Sequence, residues 1–206
     1  MNPYGYPAPG YYHPQQQYYP PQPPYYAQGY PNPQFPPPTP TRSTKYPSLH
    51  HILAADSTSL KIDLKQKPRA VITGSTFHTY AEQYAMAMPT YHIRLISKSF
   101  PWSIEIKATT PITCEAVWDA LHLALQQHIA DSEWGLAVGE KKLRETIEKA
   151  AKKRAETDSD KALKRIDWLG ESTIFRGLEK IEDFQKMRLL PGVDPCSETW
   201  VVKMSD

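Results

Sequence analysis

The apolar and polar residues follow a regular pattern only from about Tyr46 onward. Strict alternation predicts a strand over residues 60–64 and a hairpin whose strands lie within 91–95 and 102–106. A further hairpin is predicted from Ile166/Trp168 and the run 173–177, joined across a turn at 170–172. The run 199–204 predicts a closing strand, and we expect Trp102 and Trp168 in the core.

Two stretches between these strands have the period of an amphipathic helix. Thr113 is a suitable N-cap, and apolar residues within 117–125 recur at helical spacing, which predicts a helix of about four turns. A second helix is predicted from Asp131 or Ser132 toward Ala155, although two glycines weaken its start. The order of elements indicates an α+β fold, with a mainly antiparallel sheet packed against two amphipathic helices.

The first 45 residues have a different composition from the rest. About two thirds of the 21 prolines and of the 13 tyrosines precede Arg42, and no charged side chain does. Such a segment cannot bury enough apolar surface to offset the entropy of ordering. We therefore expect residues 1–45 to be a disordered, low-complexity Pro/Tyr/Gln-rich tail, followed by a single α+β domain over 46–206.

One short motif in the tail predicts a protein partner. Pro23, Pro24 and Tyr26 match the PPxY ligand of WW domains, and Pro37 with Pro40 matches the weaker PxxP pattern of SH3 ligands. About one PPxY match is expected by chance in a tail of this composition. The alternative is a solubilising or self-associating arm.

Several short stretches of the domain occur in the order typical of a known family. Those stretches are Tyr46-Pro47-Ser48-Leu49, Leu60-Lys61-Ile62-Asp63-Leu64, Phe100-Pro101-Trp102-Ser103-Ile104, Val117-Trp118-Asp119-Ala120-Leu121, Arg165-Ile166-Asp167-Trp168-Leu169, Thr173-Ile174-Phe175-Arg176-Gly177-Leu178 and Thr199-Trp200-Val201-Val202. In this order they resemble the fungal domain-of-unknown-function family DUF 6699. The family usually has a His where Tyr46 stands. The resemblance implies a fungal origin and a domain over 46–206, but no activity and no catalytic residue.

Charge and cysteine content narrow the possible surroundings of the chain. The formal charge of +2 comes from Arg42 and Lys45, so the domain is balanced and gives no electrostatic reason to expect nucleic acid. We expect no membrane span and no signal peptide. Cys114 and Cys196 are too few for a disulfide framework. A cytoplasmic or nuclear location is expected.

The sequence contains no standard cofactor or metal motif. Phosphate-binding glycine patterns are missing, His122 and His128 point to different sides of a helix, and neither cysteine is in a Cys-x-x-Cys pair. We therefore expect no cofactor and no metal. Asp63 and Asp167 are unusual within predicted strands and form a candidate acid/base pair; an ordinary ion pair of Asp63 with Arg165 or Arg176 is the simpler interpretation.

Three functional hypotheses follow. We favour a non-enzymatic protein-interaction module with a flexible proline-rich arm. The alternative is an enzyme of unfamiliar type that uses Asp63 and Asp167 in a cleft. The second alternative is nucleic-acid binding through the 141–154 helix and the tail tyrosines, which the interleaved glutamates of that helix disfavour.

Overall fold

The computed structural model describes residues 43–189 and 195–206. It confirms the α+β class, with five strands and seven helices among these residues. The predicted WW ligand at Pro23, Pro24 and Tyr26 lies outside the described residues. In chain order the elements are β1 (Ile62–Asp63), α1 (Pro68–Val71), α2 (Gly74–Tyr80), β2 (His92–Ser97), β3 (Ile104–Lys107), α3 (Cys114–Gln126), α4 (Asp131–Val138), α5 (Lys141–Arg154), α6 (Arg165–Trp168), β4 (Ile174–Glu179), α7 (Glu182–Arg188) and β5 (Thr199–Ser205).

The five strands form one mixed sheet in the order β1-β4-β5-β2-β3. The pairs β1–β4, β4–β5 and β2–β3 are antiparallel, which agrees with the prediction. The central pair β2–β5 is parallel, with Leu95 opposite Trp200. A parallel pair needs a long connection, and here it consists of all the elements between the two strands.

The predicted hairpin of β2 and β3 is confirmed. Ile93 lies opposite Ile106 and Leu95 opposite Ile104, so the aliphatic side chains share one face. Strand β3 is at the edge of the sheet and buries every second residue, leaving Glu105 exposed. Charged side chains on an edge strand discourage pairing with other chains.

Gly177 allows the segment around Ala55 to lie against β4. Its φ is +102°, and a Cβ atom there would be 2.6 Å from the Cα of Ala55. The pairing of β4 with β5 is irregular at this point, between Phe175 and Leu178. The carbonyl of Leu178 accepts a hydrogen bond from Ala55 N–H at 2.9 Å. Only glycine fits both this backbone conformation and this close contact.

Helix α3 forms where the sequence predicts it. The hydroxyl of Thr113 accepts a hydrogen bond from Ala116 N–H at 3.2 Å, which caps the first turn. One face of the helix is fully buried, including Val117, Trp118 and Leu121. The helix packs against β3 and α6.

The predicted second helix is instead two helices, so the prediction of two helices in all is wrong in number. Helix α4 ends at Val138, and Glu140 has an extended backbone (φ −119°, ψ 100°) before α5 begins. Gly139 favours this break because glycine is a poor helix former.

Among the described residues, none of the helices has the length and hydrophobicity of a membrane-spanning segment.

The prediction that Ile166 and Trp168 lie in a strand is wrong. Residues Arg165–Trp168 form α6, because the carboxylate of Asp167 accepts a hydrogen bond from Lys164 N–H at 2.8 Å and closes the first turn. Gly170, with φ +60°, ends this turn. The run that follows is β4, as predicted, but its hydrogen-bonded neighbours are β1 and β5.

The core forms a single cluster between the sheet and the helices. Trp102 and Trp168 are 8% and 7% exposed, which confirms both as core residues. Their rings meet edge to face at 5.6 Å between centroids. Neither is in a strand, since Trp102 precedes β3 and Trp168 is in α6.

Candidate binding cleft

A cleft of about 500 Å³ lies beside the C-terminal half of α5. Helix α5, the loop that follows it and α6 form its walls, and the turns near 65 and 170 close it. The lining residues are Lys65, Gln66, Gln126, Ala150, Lys153, Arg154, Glu156, Thr157, Asp158, Ile166, Asp167, Gly170 and Glu171. Of the two carboxylates singled out in the sequence, Asp167 lines this cleft and Asp63 does not.

The guanidinium of Arg154 holds the cleft wall together. It binds both oxygens of Asp167, at 2.9 and 2.8 Å. Its remaining donors go to the Asp158 carboxylate at 3.1 Å and to the carbonyls of Asp160 and Ala162, both at 2.6 Å. An arginine has five N–H donors, and all five are used here. Arg154 therefore has no donor left for a ligand.

The carboxylate of Asp167 is equally committed. Only 2% of its side chain is exposed, and besides Arg154 it receives the N–H of Lys164. The hydrogen bonds that Arg154 donates to Asp167 raise the pKa of Arg154. A buried carboxylate bound on both oxygens by an arginine acts as a structural anchor for α5 and α6.

Asp63 makes separate contacts elsewhere. It accepts hydrogen bonds from the hydroxyl of Thr173 at 2.9 Å and from Lys65 N–H at 3.0 Å. No ion pair of Asp63 is found within residues 43–189 and 195–206, so the expected pair with Arg165 or Arg176 is wrong. Arg165 instead binds Glu133, at 2.6 and 3.0 Å. Asp63 and Asp167 share no hydrogen-bond partner, and only Asp167 lines the cleft.

A second layer of charges surrounds Arg154. The ammonium of Lys164 lies 2.7 Å from Asp158 and 3.5 Å from Asp160. The hydrogen bond from Lys164 is the main reason why the pKa of Asp158 falls to about 2. His128 binds Asp160 at 2.9 Å and lowers the pKa of that carboxyl to about 2 as well. The acids of this loop are thus ionised and paired with bases of the protein.

The charged residues at the mouth of the cleft form only weak ion pairs. Glu171 lies between two lysines, 3.3 Å from Lys153 and 3.8 Å from Lys65. All three side chains are largely exposed, and exposed ion pairs contribute only about 0–1 kcal/mol. These two ion pairs therefore contribute little to the stability of the cleft.

A row of exposed lysines leads to this mouth along α5. Lys142, Lys149 and Lys153 are exposed and are separated by seven and four residues, which places them on one side of the helix. We call these three residues the lysine stripe. The acids of α5 are paired, Glu145 with Lys141 and Glu148 with Arg144, both pairs being exposed. Lys142 and Lys149 have no acidic partner within the described part of the chain.

The histidines singled out in the sequence have ordinary partners. His122 is buried, and its Nδ1 lies 3.0 Å from the carbonyl of Leu64. His128 contacts Asp160. Residues 43–189 and 195–206 contain no cluster of three or more side chains that could hold a metal ion.

Sequence reasoning missed Arg154, the residue that organises the cleft. Its signal was present, since basic residues are favoured at a helix C-terminus and the acids of 158–160 that follow can bind an arginine. Nothing in the local pattern distinguishes Arg154, whose side chain is 14% exposed, from its exposed neighbours.

Comparison with known proteins places the domain in a family. The sequence model of a family described as "Family of unknown function (DUF6699)" matches residues 60–186, which is more than half of the chain. The chain belongs to this family. No curated protein and no solved structure matches it.

Proposed function

We propose that this member of the DUF6699 family is a non-enzymatic protein-interaction module, and that its cleft and lysine stripe bind an acidic segment of a partner protein. The observation that carries the proposal is the lysine stripe, which leads into a cleft whose wall is already saturated with internal hydrogen bonds. Cations at the entrance can recruit an acidic chain, and the rigid wall can hold it.

The chemistry of the cleft supports binding rather than catalysis. Catalysis by Asp167 would require a carboxylate with an available lone pair and some access to water or substrate. Asp167 is bound by Arg154 and Lys164, and Thr157 donates its hydroxyl to the Arg154 carbonyl at 3.2 Å. The enzyme hypothesis based on Asp63 and Asp167 has no shared site to support it.

The basic charges of helix α5 favour an acidic partner. Helix α5 contains seven basic and two acidic residues, and both acids are paired within the helix. Lys65, on the far side of the mouth, adds another positive charge. Complementary charge accelerates association and selects the partner more than it raises affinity. The partner is therefore expected to bind in a salt-dependent manner.

Nucleic acid is the competing ligand for the same lysines. The balanced charge of the domain disfavours it, because phosphate binding usually needs a larger basic surface.

The tail supplies a second proposed contact, in which Pro23, Pro24 and Tyr26 bind a WW domain. The chain would then connect an acidic partner bound at the cleft with a WW-domain protein bound at the tail.

The experiment measures binding by fluorescence anisotropy with four labelled probes. They are a short Glu/Ser peptide, the same peptide with Gln for Glu, a single-stranded RNA and a DNA duplex. The full-length chain should bind the Glu/Ser peptide best, and physiological salt should weaken that binding relative to low salt. Tighter binding of either nucleic acid would replace the proposal with the nucleic-acid alternative.

Two matched variants test whether the lysine stripe is the binding surface. Lys142→Gln with Lys149→Gln should weaken peptide binding by about three- to tenfold, from the loss of two exposed ion pairs. Lys61→Gln with Lys107→Gln removes the same charge from exposed positions on another part of the domain and should leave binding unchanged. Equal losses in both variants would mean that only net charge matters, and the proposal would fail.

A further inference from the structure

A cysteine, a histidine and a glutamate form a chain of contacts at the sheet, away from the cleft. The Sγ of Cys196 lies 3.7 Å from Nδ1 of His92. The Nε2 of the same ring lies 2.5 Å from Oε2 of Glu105. The other Glu105 oxygen accepts a hydrogen bond from Arg94. Both ring nitrogens of His92 are thus engaged, one by the thiol and the other by an acid.

The topology of the sheet explains why these residues meet. Glu105 lies opposite Arg94 across the β2–β3 hairpin, so Glu105 is diagonal to His92 on the same face. The parallel pairing of β5 with β2 brings Cys196 close, since Glu198 accepts the N–H of Arg94 at 3.0 Å. The three residues come from separate parts of the sequence, and only the folded sheet assembles them.

A small cavity of about 180 Å³ opens beside the thiol. Cys196 lines it together with Arg94, Lys186 and Arg188, and no acidic side chain is among its described lining residues. The Sγ of Cys196 also lies 3.8 Å from the carbonyl of His92. Three cationic side chains line this space, of which Arg94 binds Glu105 and Arg188 binds the carbonyls of Pro101 and Trp102. A cavity of this lining suits a small molecule that carries a negative charge.

We propose that Cys196 is a reactive thiol that forms a covalent bond with a small electrophile bearing an anionic group. His92 accepts the thiol proton on Nδ1, while Glu105 holds the ring and stabilises its charged form. The sulfur then donates its electron pair to the electrophilic carbon, and the C–S bond forms as the leaving group departs with the electrons of its own bond. No oxidant or metal is needed for this step.

Cys114 provides a control within the same chain. It is fully buried in α3, and burial raises the pKa of its thiol to about 12. Its thiol should therefore be inert while the protein is folded. Labelling of Cys114 reports loss of the fold, and labelling of Cys196 reports the proposed reactivity.

The experiment compares iodoacetamide, which is neutral, with iodoacetate, which is an anion of similar size. Mass spectrometry follows the labelling of each cysteine near neutral pH, in the folded protein and in protein unfolded by urea. We expect folded Cys196 to react with iodoacetamide on the order of tenfold faster than unfolded Cys196. The ratio of iodoacetate to iodoacetamide rates should also be higher in the folded protein, because of the cationic cavity.

Variants separate the proposed chemistry from simple exposure. His92→Gln should remove the rate advantage of the folded protein, and Glu105→Gln should reduce it, while Cys114 stays unlabelled in both. If Cys196 reacts no faster when folded, or if both variants keep its full rate, the proposal is overturned.

Discussion

Asp167 and Glu105 each bind an arginine and one further donor, yet water reaches them very differently. Asp167 receives Arg154 and the N–H of Lys164, and its side chain is 2% exposed. Glu105 receives Arg94 and His92, and its side chain is 33% exposed. The arginines themselves are similarly covered, with 14% and 15% of their side chains exposed. The two clusters therefore differ in the exposure of the carboxylate and in the further contacts that its partners make.

The two clusters differ in whether their hydrogen-bond chain ends inside the protein. Arg154 uses its five donors on internal acceptors, so the cluster around Asp167 closes on itself. The cluster around Glu105 continues through the His92 ring to the Cys196 thiol, which faces a cavity. A closed cluster stabilises the fold, whereas an open one offers a group that can react. The same residue types thus serve structure in one place and candidate chemistry in the other.

The largest expected effect is the loss of the Arg154–Asp167 pair. Asp167→Asn leaves the largely buried Arg154 with only the more exposed Asp158 carboxylate as a counter-charge, so the free energy of unfolding should fall by about 3–5 kcal/mol. Urea denaturation followed by circular dichroism measures this loss. Arg154→Met combined with Asp167→Asn should be less destabilising than the sum of the two single changes, because neither charge is then left alone.

Asp158→Asn is the matched control, because it removes a more exposed carboxylate that also binds Arg154. Its loss of stability should be clearly smaller than that of Asp167→Asn. If Asp167→Asn keeps the wild-type stability, the hydrogen bonds around Asp167 do not stabilise the fold. The cleft would then have to be reconsidered as a site of chemistry.

The parts of the fold that were predictable are those specified by local patterns. The β2–β3 hairpin, α3 with its Thr113 cap and β5 are confirmed because period, capping and strand propensity agree over each of them. Helix α6 was missed because four residues are too short for a period to show. Its helical turn depends on the Asp167 carboxylate, whose position is fixed by the distant Arg154.

The two charge clusters were beyond local reasoning for the same physical reason. Asp167 was noticed, but its partner lies thirteen residues away in sequence. Cys196 and His92 are 104 residues apart and meet only because β5 pairs parallel to β2. The sequence order suggested a mainly antiparallel sheet and gave no sign of this pairing. Asp63, the other carboxylate noticed in the sequence, proved to have neutral partners.

Asp63 is an intermediate case and gives the second prediction. Asp63→Ala removes the acceptor of Thr173 and of Lys65 N–H, at a part-buried site, and should lower the free energy of unfolding by about 1–2 kcal/mol. Asp63→Asn keeps an amide oxygen for both donors and should cost less than Asp63→Ala. Denaturant unfolding of the two variants checks this order. Equal losses for Asn and Ala would indicate that Asp63 contributes through its charge, which both changes remove, and not through its two hydrogen bonds.

The smallest effect on stability is expected at Glu105. Its ion pairs with Arg94 and His92 are partly exposed, so Glu105→Gln should change the free energy of unfolding by no more than about 1 kcal/mol near neutral pH. Burial of Glu105 opposes its ionisation, but the hydrogen bonds from His92 and Arg94 outweigh it and lower its pKa. A lowered pKa stabilises the fold above the pKa of the unfolded carboxyl, and this contribution disappears as the pH falls through the folded value. The stability of wild type and Glu105→Gln should therefore converge on acidification, as urea denaturation at several pH values would show. A loss at neutral pH as large as that of Asp167→Asn would mean that the Glu105 cluster is also structural, and the contrast between the two clusters would no longer hold.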